Sequence, residues 1–176
     1  DVNLVLLTQA DTPSELLIED GFHADVLGPT GARTINLAQG SAVQGLDAGT
    51  QVNIEGVSGN FAFVRNGTTL EIRDAANDML VAQLAVGRDA GEFRFSDGGG
   101  DVGISGTRIA FGGMSFAEGD RVAARDLDLD ATRNSQDAFP NIGTSPQTVN
   151  LDQLGGTLFA PADTQAGDGA VTFSDS

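Results

Sequence analysis

Between residues 33 and 116 the chain is cut into short apolar stretches by Gly, Asp and Asn, and that punctuation leaves no room for long helices. Glycine marks turns because it adopts positive φ at little cost. The 24 glycines are about twice the usual share of roughly 7%. Apolar runs of strand length that recur every 8–12 residues point to an all-β fold rather than a βαβ arrangement.

The sharpest local signal is Phe61-Ala62-Phe63-Val64-Arg65 followed by Asn66-Gly67 and Thr68-Thr69-Leu70-Glu71-Ile72. Asn-Gly is the preferred dipeptide of a two-residue type I′ turn, because both central positions need φ > 0. With that loop Phe63 faces Leu70 and Phe61 faces Ile72, which places four apolar side chains on one face. Further strands are expected at 79–86, 92–96, 102–104 and 108–111, with Asp97-Gly98-Gly99-Gly100-Asp101 as a flexible hairpin loop. Beyond a polar stretch at 117–147, strands are expected at 149–151, 157–160 and 171–173.

One helix is expected. Thr12-Pro13-Ser14-Glu15 has the spacing of a capping box with Pro at the first helical position. Leu16, Leu17 and Ile18 follow, and Gly21 can end the turn, so one or two helical turns are expected over 13–20. The fold is therefore read as all-β, a sandwich or a short β-solenoid or roll, with this one short helix. The expected segments are 1–30 (N-terminal strand and helix, an assembly segment), 31–125 (β-rich core), 126–147 (Asp-rich loop) and 148–176 (C-terminal strands).

Charge narrows the partners. The formal net charge is −16, all nine basic residues are Arg, and acids divide into 19 Asp and 6 Glu. Nucleic acid and anionic membrane surfaces attract Lys and Arg, so this balance argues against both. No stretch approaches the roughly 18 apolar residues of a membrane span, so no insertion is expected. Without Cys there is neither a disulfide nor a thiolate metal site. The chain starts at Asp1 rather than Met, as expected of a processed product. Together these features suggest an extracellular or cell-surface location.

Catalytic patterns are scarce. His23 is the only histidine and no Gly-x-Ser-x-Gly elbow occurs. A glycosidase cleft or sugar-binding platform draws on aromatic rings, and there is no Trp or Tyr. The chain is read as no enzyme.

The one pattern with metal-ligand spacing is Asp126, Asp128, Asp130, Thr132, Asn134 and Asp137, at positions 1, 3, 5, 7, 9 and 12 of a twelve-residue loop. Alternate side chains of a tightly turning loop converge, and hard oxygens suit Ca²⁺. Ala131 stands where such a loop takes Gly, and Asp137 where it takes a bidentate Glu. An exposed strand, with Leu127 and Leu129 inward and the Asp residues in water, explains the same pattern. Both readings stay open.

The stretch from about 32 to 116 resembles units of large bacterial type I-secreted, calcium-dependent (RTX-like) surface adhesins. The resemblance rests on Thr34-Ile35-Asn36-Leu37-Ala38-Gln39-Gly40, the hairpin over 61–72, and Phe93-Arg94-Phe95-Ser96-Asp97-Gly98. The tandem Gly-Gly-x-Gly-x-Asp repeats of that group are missing. The resemblance implies secretion, surface assembly and cation dependence.

The expected function is a structural subunit of an extracellular fibre, surface layer or adhesin that self-associates into an oligomer or polymer. The assembly residues would be Val2, Leu4, Val5, Leu6 and Leu7, an uncharged run suited to completing a sheet edge. The alternative is a calcium-ordered module that binds polysaccharide or a surface protein.

Overall fold

A computed structural model describes residues 2–139. The chain divides into two units, Asp1–Pro140 and Asn141–Ser176. The strands expected at 149–151, 157–160 and 171–173 lie outside the described residues.

The first six strands fall alternately into two sheets: β1 (Val2–Leu7), β2 (Glu15–Ile18), β3 (Phe22–Leu27), β4 (Thr34–Leu37), β5 (Ala42–Leu46) and β6 (Gln51–Ile54). Odd strands pair in parallel in the first sheet and even strands in the second. Val2 is level with Phe22, His23 with Ala42, Glu15 with Thr34, and Thr34 with Gln51, so each turn of this winding takes 17 to 20 residues. A strand of the opposite sheet thus does what a helix does in βαβ units: it carries the chain back to start a parallel neighbour.

The winding is then interrupted. β7 (Phe61–Asn66), β8 (Thr69–Asp74) and β9 (Leu80–Ala85) form an antiparallel meander in the first sheet, and β9 docks in parallel on β5. β10 (Gly91–Phe95) crosses to the second sheet and pairs in parallel with β6. It continues antiparallel through β11 (Gly98–Ser105), β12 (Arg108–Phe111) and β13 (Met114–Phe116). β14 (Arg121–Ala123) returns to pair with β7, which completes two mixed sheets of seven strands each.

Burial follows the period of two that a pleated strand imposes. In β3, Ala24 and Val26 are buried while Asp25 and Leu27 are exposed. The two sheets share one apolar core, and phenylalanines join them. Phe63 of the first sheet lies 5.7 Å from Phe95 and 5.2 Å from Phe111, both of the second. Phe93 meets Phe111 edge-on at 5.7 Å. Such ring pairs add about 0.5–1.5 kcal/mol each beyond their area burial.

Three expectations are corrected. The helix over 13–20 is absent, and Glu15–Ile18 is a strand instead. A stretch this short holds only about two helical turns, whose costly nucleation a few hydrogen bonds cannot offset. As a strand it pairs with all four residues of β4 and buries Ile18. Thr12 does not cap a helix; its Oγ1 accepts a hydrogen bond from the Gln9 N–H at 2.8 Å.

The hairpin exists, but its register is displaced by two: Phe63 faces Ile72, Arg65 faces Leu70, and Asn66 faces Thr69. Gly67 has φ of 61° while Thr68, the second central residue, is not at positive φ, the sign pattern of a type II′ turn with Gly first rather than type I′. A slip of two keeps every side chain on its own face, so hydrophobic alternation cannot separate the two registers. Polar bonds favour the observed one. Asn66 Nδ2 donates to Glu71 Oε1 at 3.0 Å, and Thr69 Oγ1 donates to the Asn66 carbonyl at 2.8 Å.

Gly98-Gly99-Gly100-Asp101 is not a loop but the start of β11, with Phe95 opposite Gly98 and Phe93 opposite Gly100. The glycines there answer to a main-chain strap at 127–135 that lies across the strand. Gly99 and Asp130 exchange backbone hydrogen bonds of 3.0 and 2.9 Å.

Candidate interaction edge

The most distinctive surface among the described residues is the open edge where the winding begins. Among the described residues β1 pairs only with β3, and β2 only with β4, so each sheet has one lateral edge there. Hydrogen-bond direction fixes which groups β1 presents. The Val2 N–H donates to the Gly21 carbonyl at 2.8 Å and the Thr8 N–H to the Leu27 carbonyl at 2.9 Å. In a parallel ladder such groups alternate along the strand. Residues 2, 4, 6 and 8 therefore bond inward to β3. Asn3, Val5 and Leu7 aim their N–H and C=O groups away from the sheet.

The side chains are as unguarded as the backbone. Val5 is 68% exposed, Leu7 64%, Val2 51% and Leu4 39%. Leu4 and Leu6 stand beside buried Ala24 and Val26, on the core face, where Leu6 is partly covered and Leu4 open. Leu4, Leu17, Ile18, Glu19 and Phe22 enclose a hollow of about 190 Å³ between the edges of β1 and β2. Edge strands are usually blunted by charge, Pro, bulges or shortness. β1 has six residues in unbroken register and carries no charge and no Pro.

The opposite edges differ. β13 and β14 have three residues each. Arg121 of β14 reaches Asp78 at 2.5 Å. That hydrogen bond holds the Asp78 carboxyl below its usual range.

All five expected assembly residues thus lie together on this edge. Leu17 and Phe22 belong to the same surface and were not expected there. The signal for Leu17 was the apolar run Leu16-Leu17-Ile18, which is too short to stand out beside a capping-box spacing.

Of the six expected calcium ligands four lie on the strap and two, Asp126 and Asp137, flank it, and they do not converge on one point. Asp126 ends a 3₁₀ turn, and Asp137 lies in another. The Asp128 N–H donates to the Gly112 carbonyl at 2.8 Å. Asp130 and Thr132 are brought together: Asp130 Oδ1 accepts from the Thr132 N–H at 2.9 Å and from its hydroxyl at 2.7 Å, the first cause of a lowered Asp130 pKa. Asn134 Oδ1 accepts from the Gln136 N–H at 3.2 Å. Leu127 and Leu129 pack against the core, as the solvated-strand reading anticipates, though a single bridge replaces a full ladder. Among the described residues no group of three or more His, Asp or Glu is placed to hold a metal ion.

What holds the strap was not legible in that spacing. Arg133 donates from Nε to Glu92 Oε1 at 2.8 Å and from Nη2 to Asp101 Oδ1 at 2.5 Å. Asp101 is held below the usual carboxylate range by that hydrogen bond, against some desolvation, and Arg133 is pushed up by the same pair. Farther along, the buried Ser135 hydroxyl donates to the Ile54 carbonyl at 2.8 Å. Ser58 is buried and donates its N–H and Oγ to the Asp97 carboxylate at 2.8 Å each.

No helix among the described residues is long and apolar enough to cross a membrane. The chain matches no protein-family model, no curated protein and no solved structure.

Proposed function

We propose that this chain is a structural module of an extracellular assembly, a short two-sided β-solenoid that joins its neighbours by strand addition at the β1 edge. The observation that carries the proposal is the unguarded edge itself: six uncharged residues, open on one side, in a chain of net charge −16. Main-chain hydrogen bonds would supply the affinity, and the apolar side chains of Val2, Leu4, Val5 and Leu7 would be removed from water. Location at the cell surface follows from the resemblance to secreted adhesins and from the composition. Adhesion would then be a property of the assembly.

The test is the mass of the purified chain in solution. Light scattering across a hundredfold range of concentration is expected to show association at micromolar levels, and negative-stain micrographs to show joined particles. A chain that stays monomeric throughout that range would refute the proposal.

A further inference from the structure

We infer that the β1 edge receives the β1 edge of a second copy, antiparallel about a two-fold axis that passes between the two Val5 residues. This rests on the reading above that the edge is a joint, and adds what fills it and in which register.

Length selects the occupant. A stack that repeated the same end-to-end step would set six-residue β1 against β14, which has three residues and an arginine already engaged by Asp78. Among the described residues, the open edge that matches β1 in length and in lack of charge is another β1. Charge points the same way. Each copy carries −16, so two copies repel over most of their surfaces, and β1 is a strand where they can meet without opposing carboxylates. An isologous pair of this kind is the commonest form of homo-oligomer.

Hydrogen-bond direction selects the register. Within β1, Asn3, Val5 and Leu7 are the residues whose main-chain groups point outward, so a productive pairing must set odd residues against odd residues. With Val5 opposite Val5 of the second copy, Asn3 meets Leu7 and Leu7 meets Asn3. Each such pair exchanges two bonds, roughly six in all. Moving the axis to Leu4 would leave the Leu7 groups without a partner in β1. Moving it by half a step would oppose odd to even residues and form none of these bonds.

The side chains fit this register without further adjustment. Leu4 falls opposite Leu6 of the second copy as a close, non-bonded pair on the core-facing side. The two half-covered leucine positions of each molecule therefore cover one another. The first sheets of both copies become one continuous sheet with both cores on the same side.

The test uses the full chain and four substitutions. Val5→Pro removes the outward N–H and leaves the Val2 and Thr8 bonds to β3 intact, so it is expected to abolish association with unchanged circular dichroism and melting temperature. The chain has no Cys, which makes single-cysteine cross-linking unambiguous. Val5→Cys is expected to form a disulfide-linked dimer under mild oxidant, its Cα atoms being about 5.5 Å apart across the axis. Leu7→Cys alone is expected to give none, while Asn3→Cys mixed with Leu7→Cys gives the mixed dimer.

Association that Val5→Pro leaves unchanged would overturn this joint and the β1 edge as the site of association. Association that Val5→Pro abolishes, without a Val5→Cys dimer, would mean that a different strand fills the edge, residues 141–176 included, and would overturn this pairing while the general reading stands. A wild type monomeric at every concentration removes both readings together.

Discussion

Gly99 and Arg133 are separated by less than a methyl group: a Cβ placed on Gly99 would lie 2.5 Å from the Arg133 carbonyl oxygen, and 2.7 Å from that of Phe93 on the other side. Neither obstacle is the movable end of a side chain, so a side chain at this position must push the strap off β11. Gly99→Ala is expected to destabilise the fold by roughly 2–4 kcal/mol, within the range of severe overpacking. Thermal melts followed by circular dichroism would read this as a drop of many degrees. Gly103→Ala, whose new methyl group would meet no heavy atom within 4 Å, is the matched control and should shift the melt little.

Phe63 is fully buried and touches two rings of the opposite sheet. Phe63→Ala is expected to cost about 3–5 kcal/mol, the usual range for emptying a buried aromatic site. Phe63→Leu should cost distinctly less, because it fills most of the space and forfeits only the ring pairs. Denaturant titration of the two variants checks the ordering.

The clamp between Arg133 and Asp101 predicts an acid limb. Hydrogen bonding from Arg133 lowers the Asp101 pKa in the folded chain. A carboxylate lowered in this way contributes stability that is fully present above its unfolded value near 3.9, and loses it as pH falls through the lower folded value. Asp101 is largely exposed, so screening limits the contribution to at most about 1 kcal/mol. Melting temperatures of wild type and Arg133→Gln should therefore differ by a constant amount from pH 5 to 7 and converge below about pH 4. A difference that persists unchanged at the lowest pH would show that Arg133 acts through packing alone.

Salt should strengthen association rather than weaken it. Two copies of charge −16 repel, and ions screen repulsion beyond a Debye length of about 10 Å at 0.1 M. The joint itself is uncharged, so it has no attraction for salt to screen. Sedimentation equilibrium at 20 and 300 mM NaCl is expected to give the tighter dimer at high salt. The opposite trend would place ion pairs in the contact.

The all-β character was legible because Gly, Asp and Asn interrupt every apolar run before a helix could form. The limits of β12 and the existence of the β7–β8 hairpin were legible for the same reason. The hairpin register was not, since a slip of two moves Phe63 from Leu70 to Ile72 without changing the face of either. Parallel winding was hidden because its partners lie 17 to 20 residues apart and most share no pattern: Ala24 stacks on Val43, and only Ile35-Asn36-Leu37 over Val52-Asn53-Ile54 repeats a motif. The Gly98–Asp101 stretch misled because glycine signals a turn and a close main-chain crossing alike. Only the strap, arriving some thirty residues later, tells the two apart. The β1 strand was the most legible part of this edge, since Leu4-Val5-Leu6-Leu7 is an unbroken aliphatic run.

The meander of β7, β8 and β9 also shapes how the chain reaches its fold. It separates Val43 from its partner Ala82 and Val52 from its partner Phe93, which are contacts of high sequence separation and so intrinsically slow. Yet the hairpin and β9 can pair locally first. Once they have, the loop left to close is much shorter than the sequence interval, and its entropic cost falls accordingly. The second half of the molecule can then dock on β5 and β6 in one step. Pulsed hydrogen exchange would show this as amides of β8 protected before those of β10.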